Sequence, residues 1–61
     1  MGYKNFSKEQ LEDLLQRVLD ARKKTERNIS EGKGDRTKLY GFLGELKGEE
    51  IRVLEEMRRR Q

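Results

Sequence analysis

Leucine, isoleucine, valine and methionine recur along this chain at intervals of three and four, first from Leu11 to Ile29 and again from Leu39 to Met57. A helix turns about 100° per residue, so that spacing gathers them on one side of an α-helix. In the first segment Leu11, Leu15, Val18, Arg22, Thr25 and Ile29 share a face. In the second, Leu39, Phe42, Leu43, Leu46, Val53, Leu54 and Met57 do. Arg22 and Thr25 interrupt the first stripe, so the helix is expected to weaken after Leu19 and fray towards Gly32. Apolar content is lowest from Lys23 to Asp35, where mobility is expected.

Local signals set the ends. Ser7 can accept from the first free N–H groups, and Gln10, three residues later, can reach back: a capping box. Phe6 and Leu11 occupy the positions of a hydrophobic staple across that cap. The first helix is therefore expected over about residues 7–31, with Gly32 as its terminating glycine. Gly32-Lys33-Gly34-Asp35 reads as the turn, with Asp35 or Thr37 capping a second helix over about 36–60. Arg58, Arg59 and Arg60 suit the negative end of its macrodipole. With no proline and a short turn, the two helices become antiparallel neighbours. The expected fold is all-α, a single helical-hairpin domain spanning residues 1–61. Matched about the turn, Ile29 falls beside Leu39, Thr25 beside Leu43, Val18 near Glu50, Leu15 near Val53 and Leu11 near Met57. Arg22 and Glu50 then lie in the middle of their apolar faces, about one helical turn apart. They either pair there or bend out to water over their aliphatic stems.

Gly41, Gly44 and Gly48 complicate the second helix, since each costs roughly 1 kcal/mol against Ala in a helix interior. On the wheel they collect opposite the core stripe. Three readings compete: the helix is broken near Gly44 or Gly48, a partner's backbone approaches the smooth strip, or surface glycines are tolerated. Tyr40 and Ile51 lie between the glycine strip and the core stripe. In the first helix Leu14 and Ala21 flank the core on one side and Leu19 on the other. That apolar arc is wider than one facing helix covers.

Size sharpens the point. A chain of 61 residues is marginal alone and wants a staple. With no Cys and no His, neither a disulfide nor a common transition-metal site supplies one. Self-association into a four-helix bundle, or a partner protein, remains. Candidate partner-binding residues are Tyr40, Gly41, Gly44, Lys47, Gly48 and Ile51, joined by Leu14, Leu19 and Ala21. The bland alternative is that these complete a homodimer core.

Charge is unevenly spread. The net charge is +3, yet residues 21–38 carry seven bases against three acids, while residues 9–20 and 39–57 are each acidic. Hairpins laid side by side could match basic pole to acidic body. The alternative use of that pole is nucleic-acid backbone binding through Lys23, Lys24, Arg27, Lys33, Arg36 and Lys38. Interleaved acids and few aromatics (Tyr3, Phe6, Tyr40, Phe42) weaken it.

Catalytic chemistry is sparse. No Cys or His nucleophile or base, Gly-rich phosphate-binding loop or Ser-centred nucleophile elbow occurs. No loop has the oxygen density for calcium, so no enzyme activity, metal, cofactor or small-molecule substrate is expected. No apolar run approaches the ~18–20 residues that span a bilayer, and no secretion signal is evident. Phe6 stands where a myristoylation signal after Met1-Gly2 wants Ser or Thr. The expectation is a cytoplasmic, non-enzymatic protein-interaction module: a regulator, inhibitor or adaptor.

Overall fold

A computed structural model describes residues 3–60; Met1, Gly2 and Gln61, and with them the Met-Gly start, lie outside the described residues. Two helices, α1 (Lys8–Ser30) and α2 (Arg36–Arg59), pack against each other as an antiparallel hairpin measuring 40 × 18 × 15 Å.

The sequence at each end explains where the helices start and stop. Gln10 N donates to Ser7 Oγ (3.0 Å) while Ser7 N donates to Gln10 Oε1 (2.8 Å), completing the capping box. Phe6 meets Tyr3 edge-on, with ring centroids 5.3 Å apart. At the other end α1 closes on Gly32, whose φ of 72° favours glycine. Gly32 N donates to the Ile29 carbonyl (3.2 Å) and Lys33 N to the Asn28 carbonyl (2.9 Å), the paired bonds of a Schellman closure. Asp35 starts α2, its side chain accepting from Thr37 N (2.9 Å) and Lys38 N (3.4 Å).

Two expectations change. The weak apolar face beyond Leu19 does not shorten α1, which stays helical to Ser30. Thr25 is buried there, and its hydroxyl donates to the Ala21 carbonyl at 2.8 Å, so the polar group is satisfied inside the helix. Of the three readings of the α2 glycines, the break near Gly44 or Gly48 falls; one helix runs through both. Glycine lowers helix propensity without removing a backbone donor. The flanking Leu43 and Val53 are buried between the helices and hold the backbone in place.

The core is a thin seam. Leu11 and Val53 are fully buried, with Val18 and Leu43 nearly so. Leu15, Ile29, Leu39, Leu46 and Met57 are half-buried beside them. Burying each such side chain contributes about 1.5–3 kcal/mol at full burial. Phe42 and Leu54, expected on the core face, are instead exposed (47% and 44%). Each is one residue away from a core position, Leu43 or Val53, and so is turned about 100° off the seam.

Candidate functional site

In α2 the seam facing α1 is Leu39, Leu43, Leu46, Glu50, Val53 and Met57, spaced by alternating fours and threes. The residues just before them are Lys38, Phe42, Glu45, Glu49, Arg52 and Glu56; those just after are Tyr40, Gly44, Lys47, Ile51, Leu54 and Arg58. These sets form the two flanks of the helix, about 100° to either side of the seam. The structure treats them in opposite ways.

The first flank is polar apart from the exposed Phe42, and strapped from Glu49 onward. Residues 3–6 form a turn, closed by Phe6 N donating to the Tyr3 carbonyl at 3.0 Å. This turn is fastened to α2 at two points. The Tyr3 hydroxyl donates to Glu49 Oε2. The Arg60 guanidinium donates to the carbonyls of Phe6, Tyr3 (2.7 Å) and Lys4 (3.2 Å). Arg60 Nε also holds Glu56 Oε2 at 2.9 Å, and Arg59 Nη1 holds Glu56 Oε1 at 3.3 Å. Glu56 is buried, and both its carboxylate oxygens are thereby engaged. Arg52 sits 3.7 Å from Glu49. The hydrogen bond to Glu49, helped by partial burial, raises the Tyr3 pKa above the ordinary tyrosine value.

The second flank is apolar and bare. Tyr40 and Ile51 each keep 56% of their surface in solvent, and Leu54 keeps 44%. Lys47 and Arg58 alternate with them, and neither has an acidic partner within 4.0 Å among the described residues. Arg52 and Arg59 of the same helix and its C-cap Arg60 are paired, while Arg36 and Lys38, like Lys47 and Arg58, enter no ion pair among the described residues. Gly44 lies within this flank, with Gly41 and Gly48 beside it on the back of the helix. A Cβ added at any of the three would meet nothing within 4 Å, so no contact inside the chain requires glycine there.

The sequence-derived candidates therefore divide. Tyr40, Gly44, Lys47 and Ile51 stand together on the bare flank; Gly41 is exposed and Gly48 half-buried just behind it. Seen from one end, antiparallel helices turn in opposite senses, so the residue after each core position falls on the same side of the hairpin in both. That rule puts Leu19 of α1 beside Lys47 on the bare side. It puts Leu14 and Ala21 on the strapped side, away from the other candidates. All three are half-buried. Sequence reasoning missed Leu54 and Arg58, whose signal is the second run of threes and fours, one residue out of step with the core.

The basic candidates Lys23, Lys24, Arg27, Lys33, Arg36 and Lys38 are all exposed around the turn end. Lys33 pairs with Glu31 at 3.3 Å; the other five enter no ion pair among the described residues. A shallow cleft of about 220 Å³ opens at the opposite end, lined by Lys8, Leu11, Met57 and Arg60. Its floor is apolar, and it brings together no acid–base pair. Among the described residues no cluster of three or more His, Cys, Asp or Glu side chains is placed to hold a metal ion. No described helix is long and apolar enough to cross a membrane. No protein-family model matches the chain, and neither the curated proteins nor the solved structures contain a match to it.

Proposed function

We propose that this chain is a small non-enzymatic protein-binding module, acting as a regulator, inhibitor or adaptor by docking a partner protein on the bare flank of α2. One observation carries the reading: Tyr40, Ile51 and Leu54 stand exposed in a row on the flank that the N-terminal turn leaves uncovered. Covering three such side chains buries apolar and aromatic surface of the kind that anchors interfaces, Ile51 and Leu54 together and Tyr40 about 16 Å further along the helix. A 61-residue hairpin with so thin a core also gains stability from whatever covers it. The open glycine strip supports the reading, because small residues let a partner's backbone approach closely. Capture from host extract with the wild-type chain and with Ile51→Glu tests it. A partner retained by the first, lost by the second and reconstituted with purified components is the expected result. Equal capture by both chains would remove the bare flank as the binding surface.

Five unpaired cations at the turn end support a second reading, binding to a nucleic-acid backbone. It predicts affinity for mixed-sequence RNA or DNA that falls steeply with salt and with Lys23→Gln, Lys24→Gln and Arg27→Gln. Ile51→Glu would leave that affinity unchanged, which separates the two readings.

A further inference from the structure

The bare flank of α2 is complementary to its own reverse. Tyr40, Gly44, Lys47, Ile51, Leu54 and Arg58 alternate by fours and threes, the rhythm with which one helix packs on another at about 8–10 Å between axes. A second copy turned end over end, about a two-fold axis at the level of Glu49, brings the run back onto itself. Tyr40 then falls level with the copy's Arg58, Gly44 with its Leu54 and Lys47 with its Ile51.

That pairing uses groups the hairpin leaves idle. The first is the glycine strip. Side chains on a helix lean towards its N-terminus, so the copy's Leu54 leans from the level of Gly44 to that of Gly48. A Cβ at either glycine would meet nothing within 4 Å, and the leucine fills that room. The second is charge. Glu55 is exposed on the open border of the flank, and neither it nor Lys47 enters an ion pair among the described residues. The copy's Glu55 falls level with Leu43, one turn from Lys47. Each of the two leans towards the other, and the two lysines lean apart. The third is α1. The register that sets Leu11 by Met57 places Leu19 level with Glu49. Matching edges meet in an antiparallel pair, so α1 lies beside the copy's α1, and Leu19 meets the copy's Leu19 at the two-fold axis. Glu12 falls level with the copy's Glu26 there. Lys23, which enters no ion pair within the hairpin, stands within a turn of both. A parallel pairing uses none of this: every residue meets itself, Lys47 on Lys47 and Arg58 on Arg58.

We infer that two copies of this chain pair antiparallel through the bare flank of α2, tied by two Lys47–Glu55 ion pairs, into a four-helix bundle. This rests on the functional reading above and supplies its regulation: a second copy holds the docking surface, and a different protein binds there by displacing it.

Sedimentation equilibrium of the full chain tests the inference. Wild type is expected at twice the chain mass, giving way to monomer on dilution. Lys47→Glu and Glu55→Lys each set like charges together twice per dimer, and each should weaken it about tenfold at low salt. The chain carrying both restores the pairs with their signs exchanged and should recover most of the affinity. Both side chains are exposed, and circular dichroism confirms that each variant remains helical. A monomer at every concentration overturns the inference. So does a dimer that ignores the reversals, or one that the exchange fails to rescue. A monomeric chain that captures a host protein through Ile51 upholds the functional reading and overturns the self-pairing. A charge-rescued dimer whose host capture ignores Ile51 upholds the self-pairing and overturns the functional reading.

Discussion

Arg22 Nη1 lies 2.7 Å from Glu50 Oε1, and this ion pair joins two residues that each occupy a position in the otherwise apolar seam. The register puts Arg22 level with Leu46, so the guanidinium reaches one turn along α2 to find the carboxylate. The Arg22 side chain keeps 34% of its surface in water and Glu50 20%. Screening at that exposure makes the pair weaker than a fully buried one. Its clearest effect is on alignment: sliding α2 by a turn separates the charges and leaves both facing apolar neighbours.

Removing one partner is expected to cost more than removing both. Arg22→Ala or Glu50→Ala alone should destabilise by roughly 1–2 kcal/mol, because the remaining charge sits unpaired in the seam. Arg22→Met with Glu50→Leu should recover that loss or exceed it. Urea unfolding of the single and double variants decides the matter. Strictly additive losses in Arg22→Ala, Glu50→Ala and the variant carrying both would mean that the two side chains do not interact in solution.

The same substitution should have opposite signs at different glycines. Gly44→Ala and Gly48→Ala fall in a continuous helix with nothing within 4 Å of the new methyl group. Each is expected to stabilise by about 0.5–1 kcal/mol. Gly32→Ala also meets no neighbour, but its φ of +72° disfavours an L side chain. It should destabilise by about 1 kcal/mol. Thermal melts of the three variants read these signs directly. A stabilised Gly44→Ala that has lost its partner would locate the reason for glycine outside the chain.

The helices were legible in the sequence because their causes are local. The Ser7 and Gln10 side chains cap a helix they adjoin, Gly32 ends the same helix by its own backbone conformation, and apolar spacing sets the seam. The bare flank was half legible. Tyr40 and Ile51 stand out on the wheel; Leu54 falls there between Ile51 and the core and counts with the core by its hydrophobicity, while Arg58 counts with the end of the macrodipole. Phe42 was misplaced for the same reason as Leu54, since hydrophobicity alone does not separate a seam position from its neighbour. The strap was not legible at all. Tyr3 meets Glu49 and Arg60 meets the Tyr3 carbonyl across 46 and 57 residues of chain, and no local pattern encodes contacts at that range.

Arg60 is the larger of the strap's two fastenings. Its guanidinium serves three backbone carbonyls and the buried Glu56 carboxylate at once. Arg60→Ala should cost roughly 1.5–3 kcal/mol, the scale of hydrogen bonds to a charged group. Arg60→Lys should recover little, because a point charge cannot reproduce the planar fork. Amide hydrogen exchange localises the loss: protection at Phe6 N should fall in Arg60→Ala, while amides around Leu43 change only with global stability. Unchanged protection at Phe6 would mean that the turn holds itself.

Tyr3 gives the strap a dependence on pH. Its O–H donates to Glu49, and that bond, with partial burial behind it, raises its pKa in the folded chain. A raised pKa means that folding favours the protonated phenol. The stabilisation is therefore fully present below the unfolded value of about 10 and disappears as pH climbs through the higher folded value. Tyr3→Phe lacks the hydroxyl and should be less stable than wild type at neutral pH, by about 0.5–1.5 kcal/mol. The gap should begin to narrow above about pH 10, where the unfolded chain ionises, and close as pH passes the higher folded value, where the folded wild type loses the proton it donates. Urea unfolding of both chains from pH 7 to 11 supplies the difference curve, which also cancels the shared titration of lysines. A constant gap across that range would show that the ring's packing, and not its proton, fastens the turn.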